Sequence, residues 1–227
     1  YEEIRRVDVA RIQNAARNAM EWFEVVGSRY ADQLDAPQFM YSMLTRSQRI
    51  SHENLRLRDK TWLEGYERWY AERHGVSDGA EGRPTPPMLT PYTKRGVTLP
   101  NRIICSPMAM YSATDGLVDD FHVSHIVARA MGGAGLVFPE MTCPSPDARI
   151  TPGCLGLWND EQQAALTRLV DAVHRISPAK FGMQIGHAGR KGATHVPWEG
   201  EDEPLKSGGW PIYSASALPY LKHSVVP

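Results

Sequence analysis

The spacing of apolar positions changes partway along the chain. Over residues 1–74 the apolar side chains recur at helical spacing, as in the cluster of Met20, Trp22, Phe23 and Val26. In the second part, short apolar and β-branched runs alternate with amphipathic segments of helical length. The pattern therefore predicts an N-terminal helical segment followed by alternating strands and helices, which is typical of parallel βα units.

Within the helical segment, residues with known end preferences predict where the helices start and stop. Pro37 suits the first turn of a second helix, QFMYSMLTRSQRI, and Ser51 suits the N-cap of a third, with His52 at its start. Gly75 closes the aromatic-rich helix KTWLEGYERWYAERHG. The Gly- and Pro-rich stretch 75–87, GVSDGAEGRPTPP, has the composition of a linker and separates the two parts.

Three strands are predicted after the linker, at 102–107, 135–141 and 180–186. The helices between them are DFHVSHIVARAMGG, which ends at glycines, and NDEQQAALTRLVDAVHRIS, which Asn159 or Asp160 caps. In parallel βα folds the chemistry lies at the carboxyl ends of the strands. The three ends expected to meet there have specific compositions: Ser106-Pro107-Met108-Ala109, Glu140-Met141-Thr142 and Gln184-Ile185-Gly186-His187.

Charge and composition argue against several classes of protein. Lys plus Arg (25) nearly equals Asp plus Glu (26), for a formal net charge of -1, whereas nucleic-acid binders usually carry a basic excess. No apolar run approaches the roughly 18 residues of a spanning helix, and the charged start YEEIRRVDVARIQ is not a signal peptide. We therefore expect a cytoplasmic protein that binds neither nucleic acid nor membrane.

The cysteines and histidines do not form a metal-binding pattern. Cys105, Cys143 and Cys154 are odd in number and lack C-x-x-C spacing, which indicates reduced thiols rather than a disulfide framework or a zinc site. His122 and His125 lie three apart on a predicted helix, where packing or solvation is the simpler interpretation. No metal site is predicted.

Four motifs in the second part carry a resemblance to a known family. LPNRIICSPMAMYSATDG, GGAGLVFPEMT, DARITPGCLGLWND and FGMQIGHAGRKG occur in this order and together resemble the first part of an old yellow enzyme barrel. That family consists of FMN-dependent ene reductases with the (β/α)8 TIM-barrel fold, which take electrons from NAD(P)H. The resemblance implies that residues 88–227 are α/β and form the first three βα units of an incomplete barrel.

The resemblance also assigns roles to individual positions. Gln184 resembles the glutamine whose amide pairs with the flavin pyrimidine edge, and Met141 takes the place of a residue beside the flavin. Tyr111 resembles the tyrosine that orients or protonates the substrate. The residues alone leave three alternatives open: Ser106-Pro107 only forms the turn at the end of a strand, Met141 only fills the core, and Tyr111 only makes a hydrogen bond at the rim. The segment that resembles the backbone along the flavin ring consists of Ser106, Pro107, Met108 and Ala109.

Two further features near these positions are the missing thiol at Ala109 and a group of basic residues after the third strand. A common branch of the family has a flavin-tuning cysteine where this chain has Ala109, and Cys105 on an alternating strand points elsewhere. A basic cluster of His187, Arg190 and Lys191 follows the third strand. It supports either the flavin face or an anionic substrate, or it only holds its own loop through side-chain bonds.

The helical part resembles a different flavoprotein. YEEIRRVDVARIQNAARNAMEWFE resembles the helix after the flavin domain of aromatic-ring monooxygenases, and FMYSMLTRSQRISHENLRLRD resembles the end of that module in bifunctional fusions. Those fusions, of the salicylyl-CoA 5-hydroxylase/oxidoreductase and 2-aminobenzoyl-CoA monooxygenase/reductase type, join an FAD monooxygenase to an old-yellow-enzyme-like module. The FAD fingerprint G-x-G-x-x-G is absent, as expected if the chain starts downstream of it.

These resemblances imply a fragment of a bifunctional flavoenzyme. Residues 1–74 would end an FAD monooxygenase module, 75–87 would be the linker, and 88–227 would begin an FMN-binding NAD(P)H oxidoreductase. The substrate would be an aromatic acyl-CoA or an enone-like small molecule, and self-association is left open. The alternatives are a fragment of a stand-alone ene reductase and a non-catalytic helical interaction module on a barrel remnant. With three of eight strands, we expect the chain alone to be inactive.

Overall fold

The computed structural model describes residues 2–227, and it separates the chain into two compact units. One unit ends at Pro87 and the other spans Met88–Pro227. Among residues 2–227, no helix is both long enough and apolar enough to cross a membrane.

The first unit is helical. Pro37 lies in the first turn of its second helix, and Ser51 and Asn54 form a reciprocal capping box on the third, as predicted. The second helix stops at Thr45 instead of continuing to Ile50, and Gln48 just beyond it has a left-handed φ of 57°. The helices are α1 (Glu2–Val25, followed by one π-helical turn, Val26–Tyr30), α2 (Ala36–Thr45), α3 (His52–Arg58) and α4 (Lys60–Arg73).

Aromatic side chains and one buried acid hold this unit together. The rings of Tyr41 and Tyr66 stack at 4.5 Å, beside the fully buried Leu63. Glu67 is 1% exposed, and its carboxylate accepts hydrogen bonds from Arg56 at 2.6 and 3.3 Å. Because these contacts join α2, α3 and α4, the unit has a core of its own.

The second unit alternates strands and helices. Asn159 caps its long helix through a bond to the backbone N–H of Gln162. The strands are β1 (Tyr92–Lys94), β2 (Val97–Leu99), β3 (Ile104–Cys105), β4 (Leu136–Val137), β5 (Thr142–Cys143), β6 (Leu155–Gly156) and β7 (Lys180–Phe181). The helices are α5 (Asp120–Met131), α6 (Asp160–Ile176) and the short α7 (Pro197–Gly200).

The sheet topology bears out the parallel arrangement predicted from the sequence. β3, β4 and β7 form one parallel sheet in that order, β1 and β2 form an antiparallel hairpin, and β5 pairs with β6 in parallel. The hairpin and the β5–β6 pair are absent from the sequence prediction, and the three predicted strands are longer than the observed ones. Pro107 and Pro139 follow β3 and β4 and have no N–H to continue the hydrogen-bond ladder, so these strands end early.

The core of this unit lies between the sheet and its helices. Val137 at the centre of the sheet and Leu169 and Val173 on α6 are each 0% exposed. Ile126 and Ala130 of α5 belong to the same cluster. Burial of these side chains fixes the three strand ends relative to one another, which positions the residues that follow them.

Candidate functional site

The carboxyl ends of the three parallel strands lie side by side. Hydrogen bonds continue one residue past the strands, from the N–H of Phe138 to the carbonyl of Cys105 (3.1 Å) and from Gly182 to Val137 (2.9 Å). We call the row of segments beyond these bonds the carboxyl edge; it comprises residues 106–110, 138–142 and 182–187. Cys105 itself is partly buried and packs against the hydrophobic core.

The first segment of the carboxyl edge presents polar groups that make no hydrogen bond within the described part of the chain. Ser106, Met108 and Ala109 are exposed, Met108 to 49%, while Pro107 is half-buried. Within residues 2–227, the Ser106 hydroxyl and the backbone N–H groups of Met108 and Ala109 have no hydrogen-bond partner. Such groups are free to bond a ligand that approaches the backbone closely.

Gln184 supplies a second set of free polar groups. Its side chain is exposed and makes no hydrogen bond in the described part of the chain. Its backbone is fixed, because its carbonyl accepts the N–H of Thr142 at 2.8 Å and the N–H of Gly186 bonds back to Thr142 at 3.2 Å. The amide therefore stands on a rigid base with both a donor and an acceptor available.

Met141 lies between these segments. It packs beside the buried Cys143 and Cys154, and a Cβ placed on Gly186 would come within 2.6 Å of the Met141 sulfur. The side chain therefore lies directly against the Gly186 backbone, and no larger residue fits at 186 unless Met141 moves. The structure thus brings Met141 into the same edge as Gln184.

Tyr111 follows the first segment in an unusual backbone conformation. It is half-buried with a φ of 52°, a left-handed value that few non-glycine residues adopt. Burial raises the pKa of its hydroxyl above the ordinary value, so the phenol is protonated at neutral pH. A protonated phenol can donate a hydrogen bond or a proton.

A buried acid–base cluster lies behind this segment, and the sequence patterns do not single it out. Glu140 is 1% exposed and accepts the backbone N–H of Met110 at 3.1 Å and of Tyr111 at 3.4 Å. His122, which is fully buried, faces Glu140 on one side and Asp119 on the other. The helical spacing of His122 predicts packing, and only the fold shows that it meets a carboxylate 18 residues away.

The basic residues after the third strand already have protein partners. Arg190 donates to the hydroxyls of Ser214 and Ser216, each at 3.0 Å, and Lys191 lies 2.9 Å from an Asp202 oxygen. His187 accepts the N–H of Gly189 through Nδ1 at 3.0 Å. These contacts favour a loop held by its own side chains over a free cationic site.

The three cysteines are free thiols. Cys143 and Cys154 are buried in the same cluster, and the Cys143 thiol donates to the Ala148 carbonyl at 3.4 Å. The proximity of the two thiols raises the pKa of Cys143 and lowers the pKa of Cys154. Among the described residues, no group of three His, Cys, Asp or Glu side chains is arranged to hold a metal ion.

Comparison with known proteins identifies relatives of this chain. The chain is 44% identical to an NADPH dehydrogenase of Listeria monocytogenes over 142 residues. This match covers 62% of this chain and 38% of that protein. It is 37% identical over 154 residues to an NADH:flavin oxidoreductase of Gibberella zeae, which covers 66% and 37%. The old yellow enzyme of Trypanosoma cruzi superposes with a TM-score of 0.49 at 27% identity, over 60% of this chain and 36% of that one.

The chain thus spans less than two fifths of the length of these relatives. Their shared family has a sequence model that matches residues 87–211, which is more than half of the chain and contains the whole carboxyl edge. The chain belongs to the NADH:flavin oxidoreductase / NADH oxidase family.

Proposed function

We propose that residues 88–227 form the N-terminal part of an FMN-dependent NAD(P)H oxidoreductase of the ene-reductase type, built on a (β/α)8 barrel. The observation that carries the proposal is the carboxyl edge. Unpaired polar groups at 106–109 and at Gln184 lie along one edge of the sheet, on either side of the segment that follows β4, in a chain of a flavin oxidoreductase family.

The groups at this edge fit one face and one rim of a flavin ring. The free backbone N–H groups of Met108 and Ala109 can bond ring heteroatoms. Pro107 has no backbone N–H, and the proposed contact does not require one at that position. The Gln184 amide can pair with a rim that offers both a donor and an acceptor, while Met141 supplies an apolar surface. When bound, FMN supplies hydride transfer between NAD(P)H and the substrate.

Tyr111 is proposed to act on the substrate. An enone carbonyl becomes more basic as a hydride arrives at the conjugated carbon, and a protonated phenol nearby can donate to that oxygen. The raised pKa of Tyr111 keeps its proton available at neutral pH. The substrate class is therefore an enone or a dearomatised ring bearing a carbonyl.

For the full-length polypeptide we propose a bifunctional enzyme with an upstream FAD monooxygenase module acting on an aromatic acyl-CoA. The helical unit supports this, because it has its own core and lies outside the residues matched to the oxidoreductase family. A stand-alone ene reductase with a helical extension is the second candidate, favoured by the 44% identity to an NADPH dehydrogenase. A G-x-G-x-x-G strand–turn–helix encoded upstream would decide for the bifunctional enzyme.

The deciding experiment uses the purified full-length polypeptide. We expect a flavin absorbance spectrum, with FMN released on denaturation, bleaching by NADPH or NADH without oxygen, and recovery of the colour on addition of a cyclic enone. A colourless, folded protein that does not take up added FMN would contradict the proposal and favour a non-catalytic helical module. FAD released together with FMN would support the bifunctional parent.

For the 227-residue chain by itself, the same proposal predicts no stable flavin complex. Three parallel strands leave two open sheet edges, and a closed barrel needs about eight strands. We expect this chain to be colourless after purification. Stoichiometric FMN in a cooperatively melting 227-residue protein would show that the site needs no further strands.

A further inference from the structure

Glu140 and His122 form a buried hydrogen-bonded cluster whose partners reach the carboxyl edge. Their side chains are each 1% exposed, so water cannot replace the bonds they make. Both lie within the second unit, Glu140 after β4 and His122 in the first turn of α5. No contact with a cofactor or a substrate is needed to account for either residue.

The two carboxylate oxygens of Glu140 have different partners. Oε2 accepts two consecutive backbone N–H groups, from Met110 at 3.1 Å and from Tyr111 at 3.4 Å. Oε1 lies 3.2 Å from Nε2 of His122, and Nδ1 of His122 lies 2.5 Å from an Asp119 oxygen. Asp119 in turn caps α5 by accepting the N–H of His122 at 3.1 Å.

The His122 ring lies between two carboxyl groups, those of Glu140 and Asp119. Burial alone would lower the pKa of His122, but hydrogen bonds with Glu140 and Asp119 outweigh burial and raise it. Nδ1 also lies 3.3 Å from the backbone nitrogen of Asp119, a contact that completes the capping box at the start of α5. Both oxygens of the Glu140 carboxyl group therefore have partners, a buried histidine at one and two backbone N–H groups at the other.

We propose that Glu140 is a positioning residue for Tyr111, held in place by His122. By accepting the N–H groups of Met110 and Tyr111, its carboxylate stabilises the left-handed backbone at Tyr111 and so sets the point from which the phenol projects. A left-handed φ is unfavourable at a residue with a side chain unless surrounding bonds hold it. The inference rests on the proposed reaction, in which the Tyr111 hydroxyl donates to the substrate.

The test separates the two half-reactions in the full-length polypeptide loaded with FMN. Glu140→Ala removes the acceptor of both N–H groups, and we expect reoxidation of the reduced flavin by a cyclic enone to slow about tenfold. Reduction by the nicotinamide should stay within about twofold, because it does not use the phenol. Glu140→Gln should recover to within about threefold of the unaltered protein, since an amide oxygen can accept the same two N–H groups while its NH2 faces Nε2 of His122.

A double-mutant cycle distinguishes positioning from general destabilisation. If Glu140 acts through the phenol, Glu140→Ala should slow reoxidation by less than about twofold further when Tyr111 is already Phe. The matched control is Gln162→Met, because Gln162 is also 1% exposed and also bonds two loops, through Trp158 and Asp115. This control should lower the melting temperature and leave the ratio of the two half-reactions unchanged.

Each outcome bears on one claim. An unaltered protein whose flavin an enone does not reoxidise would overturn the proposed function, and this inference with it. Normal reoxidation in that protein, together with a full tenfold loss from Glu140→Ala in the Tyr111→Phe background, would overturn the inference alone. If the Glu140→Ala protein does not fold, Glu140→Asp replaces it, because the shorter side chain draws the carboxylate away from the two N–H groups. A folded Glu140→Asp protein with unchanged reoxidation would also overturn the inference.

Discussion

Among the residues whose burial is described, each unit buries one glutamate, and the two glutamates have different kinds of partner. Glu67 in the helical unit and Glu140 in the α/β unit are both 1% exposed, and both face a histidine. The other partner of Glu67 is the guanidinium of Arg56, so its bonds end within the helices. The other partners of Glu140 are backbone N–H groups that lead to the exposed edge.

The difference shows that burial and pairing alone do not reveal what an acid does. Glu67 joins α3 to α4 by an ion pair, and the further partners of Arg56 and His52, namely Glu53 and Tyr41, also belong to the helical unit. The segment held by Glu140 continues into Met108 and Ala109, whose N–H groups are free in the described part of the chain. We therefore expect substitutions in the helical unit to change stability, and substitutions at the edge to change flavin chemistry.

The largest expected effect is at Glu67. Glu67→Ala leaves Arg56 and His52 without their buried partner, which should lower the free energy of unfolding by about 3 kcal/mol. This is the low end for a broken buried pair, because the Arg56 and His52 side chains are 29% and 22% exposed. Urea unfolding followed by far-UV circular dichroism measures the loss.

Glu53 provides the control for this prediction. It bonds the same Arg56 from an exposed position, so Glu53→Gln should leave the unfolding midpoint unchanged. Flavin affinity should be unaffected by either substitution. A Glu67→Ala protein that unfolds normally but loses FMN would reverse the comparison between the two units.

The next largest effect is at Tyr111. In the full-length polypeptide, Tyr111→Phe should slow flavin reoxidation by an enone about a hundredfold, because a positioned proton donor contributes at least that much. Reduction by the nicotinamide and the melting temperature should stay close to those of the unaltered protein. Stopped-flow absorbance measures both half-reactions.

The matched control is Tyr213→Phe, since Tyr213 is 60% exposed in the same unit. It should react like the unaltered protein in both half-reactions. Equal slowing of reduction and reoxidation by Tyr111→Phe would argue against a role of this hydroxyl in proton donation.

Gln184 should affect binding rather than turnover. Gln184→Ala removes the amide that we propose to pair with the flavin rim, and we expect FMN affinity to fall about tenfold. Fluorescence titration of the apoprotein with FMN gives the dissociation constant. Gln163→Ala on the exposed face of α6 is the control and should bind FMN normally; an unchanged constant for Gln184→Ala in a folded protein would remove this residue from the site.

Much of the local structure can be predicted from the sequence, because its signals are local. Pro37, Ser51, Gly75 and Asn159 each mark a helix end within one or two residues of where the structure has it. The alternation of apolar runs with amphipathic segments likewise predicts the three parallel strands β3, β4 and β7. Gln184 can be picked out because it stands where a strand gives way to a loop.

The cluster behind Tyr111 could not be predicted in this way. Glu140 and His122 are 18 residues apart and meet only when α5 packs against the sheet, so no spacing rule relates them. One signal is present in the sequence: FPEMT places a carboxylate directly after a buried strand, where a charge requires a partner. The strand lengths also escape prediction, because Pro139 and the β5–β6 pair interrupt a run that looks continuous.

The smallest expected effect is a gain in stability at Gly65. This glycine is exposed inside α4, and a Cβ placed on it meets no atom within 4 Å. Gly65→Ala should therefore raise the free energy of unfolding of the helical unit by about 0.8 kcal/mol, the difference between the two residues in a helix.

Gly75 offers the opposite test, because its φ of 68° is left-handed and Gly75→Ala should lower the free energy of unfolding by about 1 kcal/mol. Both values come from urea unfolding, and FMN affinity should not change in either variant. Two substitutions of the same sign would mean that the α4 backbone in solution differs from the one described, whereas a change in FMN affinity would show that the helical unit influences the carboxyl edge after all.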